Sequence, residues 1–525
     1  MAEPYLYEKV GNNNQVQITF QGLNKGTMID NGELAEMYNM SSAYYPCLGP
    51  RQGREVIETI TNATDIASFG DKLFTIHDDG FYYNGVKKGT VQPGMKQIAV
   101  MNSYVIIFPD KVQYDILKDT FGPMGATWEA SSSGAVQFTD KEMIFKSGSV
   151  PTGFEVGDGI VISGCSTTPY NNRAVIIRTI GTDRFTFDSN TFEECESEPG
   201  LVKLERSIPD LIFICEHNNR LWGCDANNTI YCSKQGSHKN FNCYDGLVTD
   251  SYYSEVGSAG EFTGVCSYNG KVYFFKEDCI HSVYGYKPEN FQIIDISTQG
   301  VKKGCDRSLA VTNNLLFYVS RDGVMIFDST VPEVISKKLG YIRWDAAVAG
   351  GNRKFYYVCL KKNDKWRMLV YDSDLNLWHE QDNTEAIRFN YFNGDLIYLD
   401  ATGQVIKIDS EDSTEVVSWE TVTGDMSLTD TERKATMLLK LRVDIEEGAE
   451  FTVSLSRDRQ PYKQLKTFIY PQKEIVYIPI QPMRCESFRL KFTGKGIVKL
   501  YSVVREYTER TQITGTNAAV GGGEQ

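Results

Sequence analysis

An all-β fold of several domains is predicted by three observations. Aromatic residues make up 12% of the 525, with 30 Tyr and 27 Phe beside 45 Gly, a mixture that suits pleated strands joined by tight turns. A pattern of two short apolar strands around an Asn or Gly turn, followed by a second turn and another strand, recurs along the chain. The length is several times that of an ordinary domain, so two to four cores are expected.

The clearest copies of the repeat begin at Asp210, Phe262, Ser308, Ala346 and Ile387. Aligned on their first turns, Asn219, Asn269, Asn314, Asn352 and Asn393 lie 50, 45, 38 and 41 positions apart, the length of one four-stranded propeller blade. Two more copies begin at Ile66 and Ile98, with turns at Gly70 and Asn102. The pattern predicts a β-propeller of six to eight blades over residues 56–128 and 207–412, whose ring buries strand edges and lets each blade cover its neighbour. The rival reading is an irregular β-sandwich with similar hairpins.

Residues 129–206 interrupt the rhythm. ATWEASSSGA, from Ala126 to Ala135, reads as a linker, and strands are expected at about 159–163, 174–180 and 184–187, enough for a small inserted barrel-like domain. After residue 412 longer alternating strands such as MLLKLRVDI, EFTVSLSRD and SFRLKFTG predict a β-sandwich over 413–510, followed by a small-residue tail over 511–525. Residues 1–55 remain as an N-terminal arm.

The formal charge of −14, from 68 acidic against 54 basic residues, opposes a general nucleic-acid-binding surface. No apolar run reaches the length of a membrane span, and the polar start lacks the order of a signal peptide, so a cytoplasmic site of synthesis is expected. Twelve Cys without a CxxC pair read as small buried hydrophobes. The densest group, Cys215, His217, Cys224, Cys232, His238 and Cys243, has irregular spacings that match no zinc-ligand pattern.

No catalytic, cofactor-binding or metal site is assigned. The five His, at 77, 217, 238, 281 and 379, stand in no HExxH motif and beside no GxSxG elbow. TGKG, Thr493 to Gly496, lies between two strands and reads as a hairpin turn rather than a phosphate loop. Asp78, Asp79 and Gly80, and Asp322 with Gly323, fall where hairpins need Asp and Gly, so turns outweigh calcium.

ITFQGLNKGTMIDNGELAEMYNMSSAYYPCLGPRQGR, Ile18 to Arg54, resembles the opening arm of tail-hub and tail-nozzle proteins of short-tailed bacteriophages. SWETVTGDM, Ser418 to Met426, and the segment from Ile478 to Tyr507 resemble the C-terminal β-domain of phage structural proteins. The resemblance covers about a quarter of the chain and leaves hub and nozzle both open. It implies a non-enzymatic virion protein without cofactor, a homo-oligomeric, hexameric ring at the distal end of the head-to-tail connector. The ring would meet portal or adaptor proteins and tail fibres or a tail needle, and pass genome DNA through its lumen without reading sequence.

In the arm, Tyr44, Tyr45, Pro46 and Leu48 are candidate anchors between subunits, and Arg51 and Arg54 candidate partners for carboxylates. An arm that instead supplies a propeller strand is the alternative, and both hold if it closes the ring. The other functional classes kept open are a propeller that binds a host glycan or protein, and a polysaccharide hydrolase or lyase with paired carboxylates at the channel.

Overall fold

The computed structural model describes residues 13–426 and 433–508. It is an all-β protein whose centre is a propeller of seven four-stranded antiparallel sheets. Blade 1 spans residues 63–90, blade 2 97–123, blade 3 213–255, blade 4 264–296, blade 5 310–334, blade 6 346–380 and blade 7 386–407. Blade 7 has three strands of its own and takes its fourth, Glu55–Thr59, from the N-terminal side, with Gln404 opposite Thr59 and Lys407 opposite Glu55. This far-sequence strand closes the ring, removing a free edge.

The Asn and Gly turns seen in the sequence form the first hairpin of each blade. Asn219, Asn269, Asn314 and Asn393 all have positive φ, between 47° and 58°, the left-handed backbone that two-residue hairpin loops require and Asn tolerates. Blade 6 differs. There the Asn352 carboxamide oxygen accepts from the N–H groups of Lys354 and Phe355 at 3.0 and 2.7 Å, turning the chain by a side-chain bond.

Apolar residues from adjacent blades form shared clusters around the whole ring: Phe74 and Val105 join blades 1 and 2, Ile106 and Leu221 blades 2 and 3, and Trp222 and Phe274 blades 3 and 4. Phe275 and Tyr318 join blades 4 and 5, Phe317 and Tyr356 blades 5 and 6, Tyr357 and Tyr398 blades 6 and 7, and Leu399 and Ile66 blades 7 and 1. Burying one such side chain contributes roughly 1.5–3 kcal/mol, so the ring is held by its blade-to-blade faces.

The insertion leaves the ring between blades 2 and 3 as two small four-stranded sheets around its own core of Phe138, Phe145, Phe185, Ile160 and Leu204. It begins earlier than expected. Ala126–Glu129 is a strand, not a linker, and pairs with Lys203–Arg206, so the first and last strands of the insertion clasp each other.

The C-terminal sandwich is not built from the C-terminal residues alone. Its first sheet runs Asn13–Gln17, Val498–Thr508, Lys434–Ile445, Gln472–Pro479, and its second Leu34–Tyr38, Ser418–Thr423, Phe488–Lys495, Glu450–Arg457, Lys463–Phe468. The described part of the arm, from residue 13, is therefore divided between the sandwich and, from Glu55, blade 7. Among the described residues no helix is long and apolar enough to cross a membrane. The tail expected at 511–525 lies outside the described residues.

Candidate functional site

The arm residues singled out from the sequence separate into two groups. Leu48 is buried and bonds through its backbone to Leu500 in both directions, 3.0 and 2.9 Å. Arg51 places its Nε 2.8 Å from the Asn39 carboxamide and grips Glu415 with both terminal nitrogens at 2.9 and 2.7 Å. Arg54 reaches Asp382 at 2.7 Å, the Gln381 carboxamide at 2.6 Å and the Tyr398 hydroxyl at 3.1 Å. Burial works to raise the Asp382 carboxyl, but the Arg54 charge and the bonds from Thr384 outweigh it and hold the group below its ordinary value.

Leu48, Arg51 and Arg54 thus act within one chain and are not free contacts between subunits. The arm presents Tyr45, 42% exposed, and Pro46 to solvent. Tyr44 is half-buried, packed on Gly49 with the Lys499 ammonium 5.0 Å from its ring centre.

The inner strands of the propeller carry a charged network. Asp65, buried in blade 1, accepts from Arg307 Nη2 at 2.8 Å and from Arg388 through Nε and, at 3.1 Å, Nη2. Both arginines also bond the Lys96 carbonyl, at 3.2 and 2.8 Å, while the Lys96 ammonium sits buried 2.5 Å from Asp110. Burial first, and then the neighbouring Arg388 charge, hold the Arg307 guanidinium below its ordinary value. Residues of blades 2, 3, 4, 6 and 7, Arg388 among them, together with Arg307 just before blade 5, line a remaining space of about 270 Å³. At about 30 Å³ per water molecule, that space holds roughly nine waters, far less than a DNA duplex needs.

The Cys and His residues of the densest cluster are spread over blade 3. Cys215, Cys224 and Cys232 belong to its strands, His217 meets Ser267 of blade 4 at 2.8 Å, and Cys243 is buried in the long loop after Cys232. Among the described residues no three His, Cys, Asp or Glu side chains converge as metal ligands.

His238, in the same loop, borders a polar cavity of about 470 Å³ between the insertion and blades 2 and 3. Its ring bonds Gln113 and lies 4.4 Å from the Tyr104 ring. Burial, followed by the charges of Lys239 and Arg206, brings its pKa down to about 4. The insertion is fastened here. Asp158 pairs in a buried contact with Arg206 and accepts from the Asn240 carboxamide at 3.2 Å, and the Gly159 N–H donates to Asn240 at 3.0 Å. Sequence reasoning missed this junction, since Asp158 and Asn240 stand in no motif; their only sequence signal is that each follows a turn-rich stretch.

No family model matches the chain, and no curated protein matches it. Solved structures similar to it include Hsv2 of Kluyveromyces lactis, at 9% identity over 62% of this chain and 98% of that one, with a TM-score of 0.28. Others are BBS1N in complex with ARL6DN, at 8% identity over 69% and 97% with a TM-score of 0.26, and the exo-β-1,3-galactanase of Phanerochaete chrysosporium with galactose, at 7% identity over 56% and 94% with a TM-score of 0.20. Likenesses this remote carry no argument about this chain, and the propeller rests on its own seven sheets.

Proposed function

We propose that the chain is a virion structural protein of a short-tailed phage, a tail hub or nozzle subunit in a hexameric ring at the distal end of the head-to-tail connector. It is made in the host bacterial cytoplasm, retains the packaged genome and forms the conduit for its ejection. One observation carries this reading. The segments that resemble phage proteins, at residues 18–54, 418–426 and 478–507, come from opposite ends of the chain yet fold as one unit: Leu34–Tyr38 pairs with Ser418–Thr423, which pairs with Phe488–Lys495.

In this reading the protein is not an enzyme and needs no cofactor. Its partners are copies of itself, portal or adaptor proteins, and tail fibres or a tail needle. DNA runs through the lumen between subunits, because the centre of each propeller is crossed by the ion pairs of Asp65 with Arg307 and Arg388 and leaves only a small space. A net negative chain suits that passage, since a basic wall would hold phosphate through counterion release.

A second reading, a receptor-binding module that takes glycan or protein, is favoured by Tyr286. It is 71% exposed at a turn of blade 4, beside a cavity of about 420 Å³ lined also by Phe291, Asn218, Asn219 and Gln235. The two readings separate in one experiment: particles assembled without the protein should package DNA and then leak it. Particles that keep their genomes and fail only to recognise the host would replace the conduit with the receptor module.

A further inference from the structure

The sandwich meets the propeller along one side, and no strand among the described residues pairs with its opposite side. Leu34–Tyr38, one edge of the second sheet, lies against the outer strand of blade 6, Leu377–Glu380. Lys463–Phe468 is the far edge of that sheet, four strands away, and Gln472–Pro479 is an edge of the first. The three-residue link 469–471 brings these two edges together into a distal corner whose outer backbone pairs with no strand among the described residues.

The corner has the composition of an interface. Tyr470 is 69% and Ile469 55% exposed, Ile475 and Tyr477 stand exposed along the strand that follows them, and Tyr462 is exposed at the other end of Lys463–Phe468. Exposed Tyr and aliphatic side chains along a sheet edge, rimmed by charge, mark a contact with another macromolecule. In a chain of formal charge −14, residues 457–473 hold five basic side chains against Asp458 alone. Four of the five, Arg457, Arg459, Lys463 and Lys466, pair with no carboxylate among the described residues, and Lys473 pairs with Asp444.

The complementary charge lies in the same chain. Glu193, Glu194 and Glu196 stand exposed on the insertion and likewise pair with no cation among the described residues. The insertion leaves the ring between blades 2 and 3, whereas the sandwich docks on blade 6, half-way round a ring of seven. Basic corner and acidic tip sit on opposite flanks, so they cannot meet in one copy and can meet between two. A contact of this head-to-tail kind repeats from copy to copy, and it closes into a ring where its rotation divides the circle.

We propose that the distal corner of the sandwich is the docking surface for a second copy of the chain, receiving Glu193, Glu194 and Glu196 of that copy's insertion against Lys463, Lys466 and Arg459. This inference rests on the ring reading and names the surfaces that form it. Tyr470 and Ile469 supply the apolar centre and the charges set direction and register.

The test uses the full chain, with self-association followed by light scattering and sedimentation. Lys463→Glu with Lys466→Glu, and separately Glu193→Lys with Glu194→Lys, change only exposed side chains, and circular dichroism checks that each variant is folded. Each variant alone should associate at least about ten-fold more weakly than the native chain, and a one-to-one mixture should recover, because each brings the surface the other lacks. Raising NaCl from about 0.15 M to about 0.5 M should weaken the native contact. Carbodiimide coupling of mixed ¹⁴N and ¹⁵N chains should give Lys–Glu links of mixed isotope. Native rings unaffected by either variant would overturn the assignment, leaving the lysines as guards of a sheet edge and the ring reading intact. A native chain that neither associates nor cross-links at any concentration would take both down.

Discussion

At the scale of single residues, Arg54 shows how a side chain noticed in the sequence acquires its role only from the fold. An arginine beside a Tyr-Pro segment can serve a partner or its own chain, and the sequence does not choose, because Asp382 lies 328 residues away. Once folded, its guanidinium is enclosed by Asp382, Gln381, Thr384 and Tyr398. Arg54→Ala leaves the Asp382 carboxylate buried without its cation and should cost roughly 3–5 kcal/mol in chemical denaturation. Tyr45→Ala, nine residues earlier and exposed, should change stability by no more than about 0.5 kcal/mol. Equal costs for the two would refute the division of the arm into inward and outward residues. The Asn turns were legible for a different reason: a left-handed two-residue turn is a local demand, met locally by Asn219, Asn269, Asn314 and Asn393.

At the scale of elements, strands that pair with a sequence neighbour could be read from the chain, and strands that pair across it could not. The blade hairpins join adjacent runs of alternating or continuous apolar residues, so period and turn together reveal them. Asn13–Gln17 and Leu34–Tyr38 are five residues each, largely polar in the first case, and find partners near residues 503–507 and 420–423. Nothing local announces such a pairing. The start of the insertion was misplaced for the same cause, since ATWE looks like a linker until Lys203–Arg206 lies beside it. That clasp makes the insertion a self-contained loop with its own core, entering and leaving the ring through adjacent strands. Replacing residues 126–206 by a short Gly/Ser bridge between Gly125 and Ser207 should therefore leave a soluble propeller with cooperative thermal unfolding. Loss of all soluble protein would show that the ring needs the insertion, through Asp158 and Asn240, in order to close.

At the scale of the whole molecule, buried titratable groups set an acid limit in two steps. His238 and His379 are each held at about 4, chiefly by burial, with Lys239 and Arg206 adding to the effect at His238 and Lys354 opposing Asp372 at His379. Unfolded, both would titrate near 6.5, so the unfolded chain binds more protons in between and stability falls as pH drops from about 6.5 to about 4. Glu198 is held at about 2, because bonds from the N–H groups of Thr167, Gly200 and Ser166 and the Thr168 hydroxyl overcome the effect of burial. Its contribution, present above the unfolded value, is lost as pH falls from about 4.5 toward 2. Melting temperature against pH should show both windows, with Glu198→Gln flattening the lower and His238→Gln with His379→Gln the upper. An upper window unchanged in the double variant would sink this account. The closing strand Glu55–Thr59 also imposes a schedule on biosynthesis. Its partner Gln404–Lys407 leaves the ribosome about 350 residues later, and at roughly 5–20 residues per second the wait is tens of seconds. The strands at 13–17 and 34–38 wait longer still, for residues 418–508. The beginning of this chain is thus among the last parts to find its place, and a nascent chain halted before residue 404 should remain open to protease at residues 13–59, however much of the propeller has already formed.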